Sequence, residues 1–470
     1  AGMVVCDATG QLNSRKSMGY VRDVFQQSHM EKLTGNYGIG HVRYPTAGGA
    51  GKEFSQPMYV NSPYGISLAH NGNLTNSQTL AEELFQAEMR RLNTNSDSEV
   101  LLNIFAHELG KLRKLNPSPE DIFKAVTETH KRCDGAYAVI ALITGFGILA
   151  FRDTNAIRPL SFGIRQGNYR DEYMVASEDA SFISQGFIKE RDIEPGEAIF
   201  IDNDGNLFSQ QCAEVFQKRP CIFEYVYFSR PDSKIDEISV YKSRMRMGSK
   251  LAENIKQSHS NHDIDVVIPI PDSATTAALQ LSVDLEVPYR EGFVKNRYIG
   301  RTFIMPYQED RQKSVRRKLN ILDLEFRGKN VLLVDDSIVR GTTSKKIIEM
   351  AKEAGAKKVY FASAAPPIKY QNLYGIDMPA TSELVASNRT NQQVAEEIGA
   401  DWLIYQTLED LMETVQAGNP EIREFETSIF TGEYITPLGE NYLEDLEASR
   451  KDEVKHQREK NHLSDSESTN

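Results

Sequence analysis

Two neighbouring carboxylates, Asp335 and Asp336, close an apolar run, and Arg340-Gly341-Thr342-Thr343-Ser344 follows within a few residues. Adjacent carboxylates repel each other unless a cation or hydroxyl donors share the site. Gly341 lets the backbone approach a ligand closely, and the hydroxyls and amides of Thr342, Thr343 and Ser344 open a helix whose N-terminus favours phosphate. A ribose phosphate satisfies both halves, with hydroxyls or a hydrated metal on the acids and phosphate on the loop. An ordinary strand-to-helix connection with a good N-cap uses similar residues, but it has no need of paired acids. No GxxxxGK[ST] phosphate loop occurs, and Gly38-Ile39-Gly40 lacks the third glycine of a dinucleotide fingerprint.

The elements that must hold this constellation follow from the flanking residues. VLLV, residues 331–334, suits a strand buried on both faces, and SKKIIEMAKEAGA has the period of an amphipathic helix. Upstream, IDVVIPIPDSATTAAL is an apolar strand ending in Pro271-Asp272-Ser273 before a small-residue helix; VPYREGFVKNRY and KKVYFASAA continue the alternation. This predicts a doubly wound parallel sheet with its ligands at the carboxyl edge. Residues 295–318 are rich in Arg and Lys and have no clean period, which predicts a loop. Beside a phosphate site, its Lys295, Arg297 and Arg301 could neutralise phosphate charge. VAEEIGADWLIYQTLEDLMETV predicts helix, strand and helix. From about Leu443 the sequence is charged and nearly free of apolar residues, which predicts a disordered tail with any helix confined to its start.

Residues 1 to about 230 have another texture. Short β-rich runs (ISLAHNGNL, YAVIALI, EAIFID) alternate with two helical patterns, LTNSQTLAEELFQAEMRRL and SDSEVLLNIFAHELGKL, as in an α+β sandwich. Three polar clusters stand out. Arg43, ahead of Tyr44-Pro45-Thr46-Ala47-Gly48, could clamp a carboxylate; Asp97, within Ser96-Asp97-Ser98-Glu99, could hold an ammonium group; the Asn71 amide and Gly72 N–H, within His70-Asn71-Gly72-Asn73, could form an oxyanion hole. Taken singly, HNGN is equally a turn sequence and SDSE equally a capping box.

Composition bounds the rest. A chain of 470 residues with 40% hydrophobic residues supports two or three domains, and a net charge of −12 disfavours a nucleic-acid surface. The four cysteines, Cys6, Cys133, Cys212 and Cys221, are scattered without a CxxC pair, as in a reducing cytoplasm. The longest uncharged run, residues 135–151, is shorter than the roughly 20 residues of a membrane span. It predicts two buried strands turning at Thr144-Gly145.

LVDDSIVRGTTS resembles the phosphoribosylpyrophosphate (PRPP) loop of type I phosphoribosyltransferases. The three clusters of the first region, in their order and wording, resemble the glutaminase domain of N-terminal-nucleophile amidotransferases. Together they resemble the glutamine PRPP amidotransferase family, over residues 1 to about 440. The resemblance implies a four-layer α+β glutaminase sandwich at 1–230, an α/β phosphoribosyltransferase domain with a parallel sheet at 231–440, and the tail at 441–470. FEYVYFSRPDS resembles the junction of the two. The implied reaction, first in purine synthesis, makes 5-phosphoribosylamine from PRPP and ammonia released from glutamine.

The resemblance also assigns roles. Arg43, Thr46 and Asp97 bind glutamine, and Asn71 and Gly72 stabilise the tetrahedral intermediate. Lys295, Arg301, Asp335, Asp336, Arg340, Gly341, Thr342, Thr343 and Ser344 bind PRPP, and residues 295–318 form a lid. Ser273, Asp335 and Asp336 surround Mg2+, without fixing which of them coordinates it directly. FRDTNAIRPL is a structural segment in which Ala156 replaces the family's usual glycine. Some family members carry an iron-sulfur cluster on late cysteines; with no cysteine after Cys221, no cluster is expected here. Purine nucleotide inhibitors, a homo-oligomer and a cytoplasmic location are implied, with no nucleic acid or membrane partner.

One departure concerns the nucleophile. In this family an N-terminal cysteine attacks the glutamine amide while its own amine serves as base. The chain starts at Ala1, runs directly into MVVC and lacks the Arg-Gly-Gln-Asp segment that usually follows the family's N-terminus. The expectation is that a first segment is missing and that the chain as given uses free ammonia. Cys6 is internal and reads as a buried strand residue. Two other classes remain open: a phosphoribosyltransferase acting on a base, and a non-catalytic PRPP-sensing regulator.

Overall fold

A computed structural model of the chain describes residues 1–43, 51–296 and 319–451. Its first half is built on a six-stranded antiparallel sheet in the order Leu207–Gln211, Glu197–Asp202, Gly147–Arg152, Gly135–Ile143, Ile66–Leu74, Met58–Val60. The helices Ser77–Gln86, Asp97–Lys111 and Pro119–Arg132 cover one face, where Leu80, Leu101, Phe105 and Val126 meet Leu68, Val139 and Phe151. On the other face Ala138, Ala150 and Ile199 meet Leu160 and Phe162 of a three-stranded sheet, and Leu142 meets Val4, Cys6 and Ile39 of a second one. A thin fourth layer lies outside. Phe162 points inward, so Gly163 points outward, and Phe182 of the helix Ala180–Ser184 sits 3.2 Å from where a Gly163 Cβ would stand. Burial on both faces explains why Gly135–Ile143 reads as an unbroken apolar run although its neighbours are antiparallel.

The second half contains a four-stranded parallel sheet, Val266–Pro269, Asn330–Asp335, Lys358–Ser363, Trp402–Tyr405. Alternate residues of one strand serve opposite layers. Val331 and Leu333 pack with Ile347 and Ile348 of Thr342–Glu353 and with Val394 and Ile398 of Asn391–Ile398. Leu332 and Val334 pack with Met247 and Leu251 of Val240–Ser258, Leu281 of Thr275–Leu285 and Leu411 of Leu408–Gln416. Helices therefore cover both faces, the doubly wound arrangement expected.

One expectation needs correction. Among the described residues, VPYREGFVKNRY contributes a single parallel bridge to the sheet, Tyr289 to Val267. It then leaves the sheet, and Phe293–Lys295 pairs antiparallel with Leu319–Ile321. The tail from 441 is folded at its start: Tyr442–Arg450 is a helix. Arg450, 7% exposed, donates from Nη2 to the Asn372 carbonyl (2.9 Å), and Glu447 accepts the N–H groups of Thr381 (2.6 Å) and Ser382 (3.2 Å). Tyr442 and Leu446, one turn apart, also pack against the core of the second half, so polar and apolar contacts together dock this helix. Residues 452–470 lie outside the described residues.

A buried ion pair joins the halves. Arg152, fully buried, donates from Nη1 and Nη2 to the Asp236 carboxylate at 2.9 and 2.8 Å, with its other donors on the carbonyls of Ala156, Arg158 and Ile193. Ala156 adopts φ +52°, so the turn favoured by glycine is retained with an alanine in it. All four cysteines are free and buried. Among the described residues no helix is long and apolar enough to cross a membrane.

Candidate active site

Strand register creates the first site. Pro269 lies beside Val334, so the turns that follow these two strands leave the sheet at the same edge. Ser273 Oγ donates to Asp336 Oδ2, and Ser337 Oγ donates to Asp336 Oδ1 at 2.7 Å. The Asp336 N–H donates to Asp335 Oδ1 (2.9 Å). Burial, with the neighbouring Asp336 charge, pushes the Asp335 carboxyl well above the usual carboxylate range; burial raises Asp336 too, opposed by its two serine donors. A cation or a further donor placed at this pair would relieve the repulsion. Directly beyond it Gly341, at φ +75°, is the N-cap of Thr342–Glu353, whose first turn has no side-chain cap. A Cβ at Gly341 would lie 3.0 Å from Val385. The uncapped amides of Thr342, Thr343 and Ser344 suit a phosphate. Arg340 pairs through Nε with Glu383 (2.8 Å), and Lys295 pairs with Asp272 in the turn bearing Ser273. Arg301 lies outside the described residues.

The second site sits on the strand Ile66–Leu74. HNGN is not a turn: Asn71 and Gly72 stand opposite Ala138 and Tyr137 within the sheet. A Cβ at Gly72 would come 2.0 Å from the Ala136 carbonyl, so close strand packing requires glycine here. The capping-box alternative for SDSE does not form, since Ser96 makes no side-chain cap and Glu99 instead holds Asn93 and Thr94. Asp97 opens the helix Asp97–Lys111; its Oδ2 accepts from the Leu74 N–H (3.2 Å) and lies 3.6 Å from His70 Nδ1. Arg43 packs over the Phe54 ring at 5.6 Å, with its pKa lowered by burial and raised by Asp97. Arg43, Asp97 and Asn71-Gly72 are thus gathered about one strand, while Thr46 lies outside the described residues.

Comparison with known proteins gives the family. Residues 49–184 match a family described as glutamine amidotransferase domain, and 237–376 match the phosphoribosyl transferase domain. The chain is 59% identical to an amidophosphoribosyltransferase of Pseudomonas aeruginosa, covering 97% of this chain and 91% of that protein. The chain belongs to the amidophosphoribosyltransferase family. Another family member, from Saccharomyces cerevisiae, is 52% identical over 96% of this chain and 89% of its own length. A solved glutamine PRPP amidotransferase from B. subtilis, complexed with ADP and GMP, is similar at 36% identity and a TM-score of 0.79, covering 94% and 92% of the two chains.

Several residues beside the family's motifs escaped the sequence. Arg158 Nη2 donates to Asn71 Oδ1 (3.2 Å), so the Asn71 Nδ2 points away from that anchor. Gln56 accepts the His70 N–H at 2.7 Å and donates to Ser98 Oγ at 3.0 Å. Burial lowers the His70 pKa, against the pull of Asp97. From the second half, Gly375 (φ +100°) lies against Gly72, where a Cβ would meet its backbone at 2.8 Å, and Asn73 Nδ2 donates to the Leu373 carbonyl (2.8 Å). Arg158 had a signal, its place in the FRDTNAIRPL segment. Gly375 and Gln56 had none, because only folding brings them to Gly72 and His70.

Proposed function

We propose that this chain is an amidophosphoribosyltransferase that displaces pyrophosphate from PRPP with ammonia derived from glutamine, giving 5-phosphoribosylamine, the first committed step of purine synthesis. The observation that carries it is the buried Asp335-Asp336 pair beside an uncapped helix N-terminus. In this role Thr342, Thr343 and Ser344 bind the 5-phosphate, with Gly341 keeping the loop close. Asp335 and Asp336 accept the ribose hydroxyls, and Lys295 and Arg340 meet the pyrophosphate, joined by Arg301. The donor set of Ser273, Asp335 and Asp336 is all oxygen and fits Mg2+, which when bound neutralises charge on the pyrophosphate. The chain's own contribution is positioning and charge stabilisation, since a dissociating pyrophosphate needs little covalent help.

On the glutamine side, Arg43 and Thr46 hold the substrate carboxylate end, Asp97 the ammonium group, and Asn71 Nδ2 with the Gly72 N–H the oxyanion. The division 1–230 and 231–440 separates glutamine from PRPP chemistry. A cytoplasmic location is supported by four free, buried cysteines. Binding of purine nucleotides is supported by the ADP and GMP in the B. subtilis relative.

Pyrophosphate release from PRPP with Mg2+, measured first with ammonium and then with glutamine, tests the function. Ammonium-dependent release is expected. No release with either donor, or release only with hypoxanthine or orotate as acceptor, refutes it.

A further inference from the structure

Thr381–Glu383 is a single tight helical turn whose N-cap, Ala380, has no side-chain acceptor, so the amides that open it must find one elsewhere. Glu447, on the helix Tyr442–Arg450, supplies it. Its Oε2 accepts the Thr381 N–H at 2.6 Å and is also held by the Gln371 amide. Its Oε1 accepts the Ser382 N–H at 3.2 Å and the Ser382 hydroxyl at 3.0 Å. Partial burial pushes the Glu447 carboxyl up, and the bonds to this turn outweigh it, leaving the group below its ordinary range. One carboxylate, more than sixty residues along the chain, thus caps the turn with both oxygens.

The residues at the far end of the turn back the loop that follows Asp335-Asp336. Glu383 Oε2 accepts from Arg340 Nε (2.8 Å), and the Val385 N–H donates to the Val339 carbonyl (2.9 Å). Leu384 and Val385 are buried, so packing fixes the backbone there. Glu383 is only half-buried, and what aims its carboxylate is the pitch of the turn that carries it. A planar guanidinium gripped at Nε has its remaining donors aimed by the group that grips it. The bonds of Glu447 therefore bear on Arg340 through the turn, without touching the amides of Thr342, Thr343 and Ser344.

We infer that Glu447 is a positioning residue for PRPP binding: by capping Thr381–Glu383 it places Glu383, and through Glu383 it aims the Arg340 guanidinium at the pyrophosphate group. This rests on the assignment of Arg340 to the pyrophosphate and of Thr342, Thr343 and Ser344 to the 5-phosphate.

Calorimetric titration of the full chain with PRPP and Mg2+, with pyrophosphate and Mg2+, and with ribose 5-phosphate separates aim from general support. Glu447→Ala leaves the helix docked through Tyr442, Leu446 and Arg450. It is expected to weaken PRPP and pyrophosphate binding about five- to tenfold, the scale of a lost helix cap, while ribose 5-phosphate binds as before. Glu447→Gln, which keeps one oxygen for the amides, should fall between the original and Glu447→Ala. Because both act on Arg340, the losses in Glu447→Ala and Glu383→Gln should overlap rather than add in the double variant.

Unchanged PRPP affinity in Glu447→Ala overturns the inference. So does an equal loss of ribose 5-phosphate affinity, which would make the helix a support for the whole loop, and so does full additivity with Glu383→Gln. If Glu447→Ala does not fold, Glu447→Gln decides by the same comparison of ligands. An unsubstituted chain that binds neither PRPP nor ribose 5-phosphate refutes the site assignment itself.

Discussion

Replacing Asp335 with asparagine should stabilise the ligand-free protein while abolishing PRPP binding. Asp335 and Asp336 are 9% and 7% exposed, and both carboxyls are pushed above the usual range by burial, Asp335 also by its neighbour's charge. A group whose folded pKa is raised holds its proton more tightly in the native state than when unfolded. Native protein then binds more protons than unfolded protein between the ordinary carboxylate pKa and the raised one, and stability falls as pH rises through that window. Above it the full cost of two buried charges is present. Unit charges about 4 Å apart at an effective dielectric of about 20 repel by about 4 kcal/mol, and relief of half of that is a conservative expectation. Asparagine keeps an oxygen for the Asp336 N–H bond and offers an amide to the Asp336 carboxylate. A gain of about 2 kcal/mol corresponds to roughly 4–8 °C in Tm for a domain of about 200 residues.

The assay is thermal unfolding of ligand-free protein in EDTA from pH 5 to 9, followed by fluorescence of the single tryptophan, Trp402, in the edge strand of the parallel sheet. The Asp335→Asn variant should melt above the original at pH 8, with the gap closing toward pH 5, and PRPP titration should show no binding. A variant that melts lower than the original at pH 8, or that binds PRPP normally, refutes the account of this pair.

A buried acid outside the sites behaves similarly: Asp192 is raised to about 6 by burial and the Asp236 charge, opposed by Lys189. Asp192→Asn should therefore stabilise the chain above pH 6 and have no effect near pH 4, seen as converging melting curves. Arg152→Met leaves Asp236 buried without its bidentate partner. It should cost about 3–5 kcal/mol, measured by urea unfolding, and a loss under about 1 kcal/mol would show that the pair is dispensable.

Sequence alone determined what local pattern and residue chemistry can determine. The strand into Asp335-Asp336, the glycine and hydroxyls at the next helix start, the hairpin hidden in residues 135–151 and the alternation of strands and helices were legible, because each depends on near neighbours in the chain. The doubly wound sheet followed from apolar runs that only two covered faces tolerate. Tertiary structure decided the rest. Whether HNGN was a turn or a paired strand depended on Gly135–Ile143 lying against it, and the early departure of Phe293–Lys295 from the sheet depended on its partner Leu319–Ile321. The helix Tyr442–Arg450 is docked by Tyr442 and Leu446 on the core and by polar contacts to residues more than sixty positions away, and those polar partners leave no mark in its own sequence. The contacts that bring the second half onto the strand bearing Gly72, Gly375 to Gly72 and Asn73 to Leu373, join residues about 300 positions apart. Type and spacing name the groups that can do chemistry; only packing decides which of them touch.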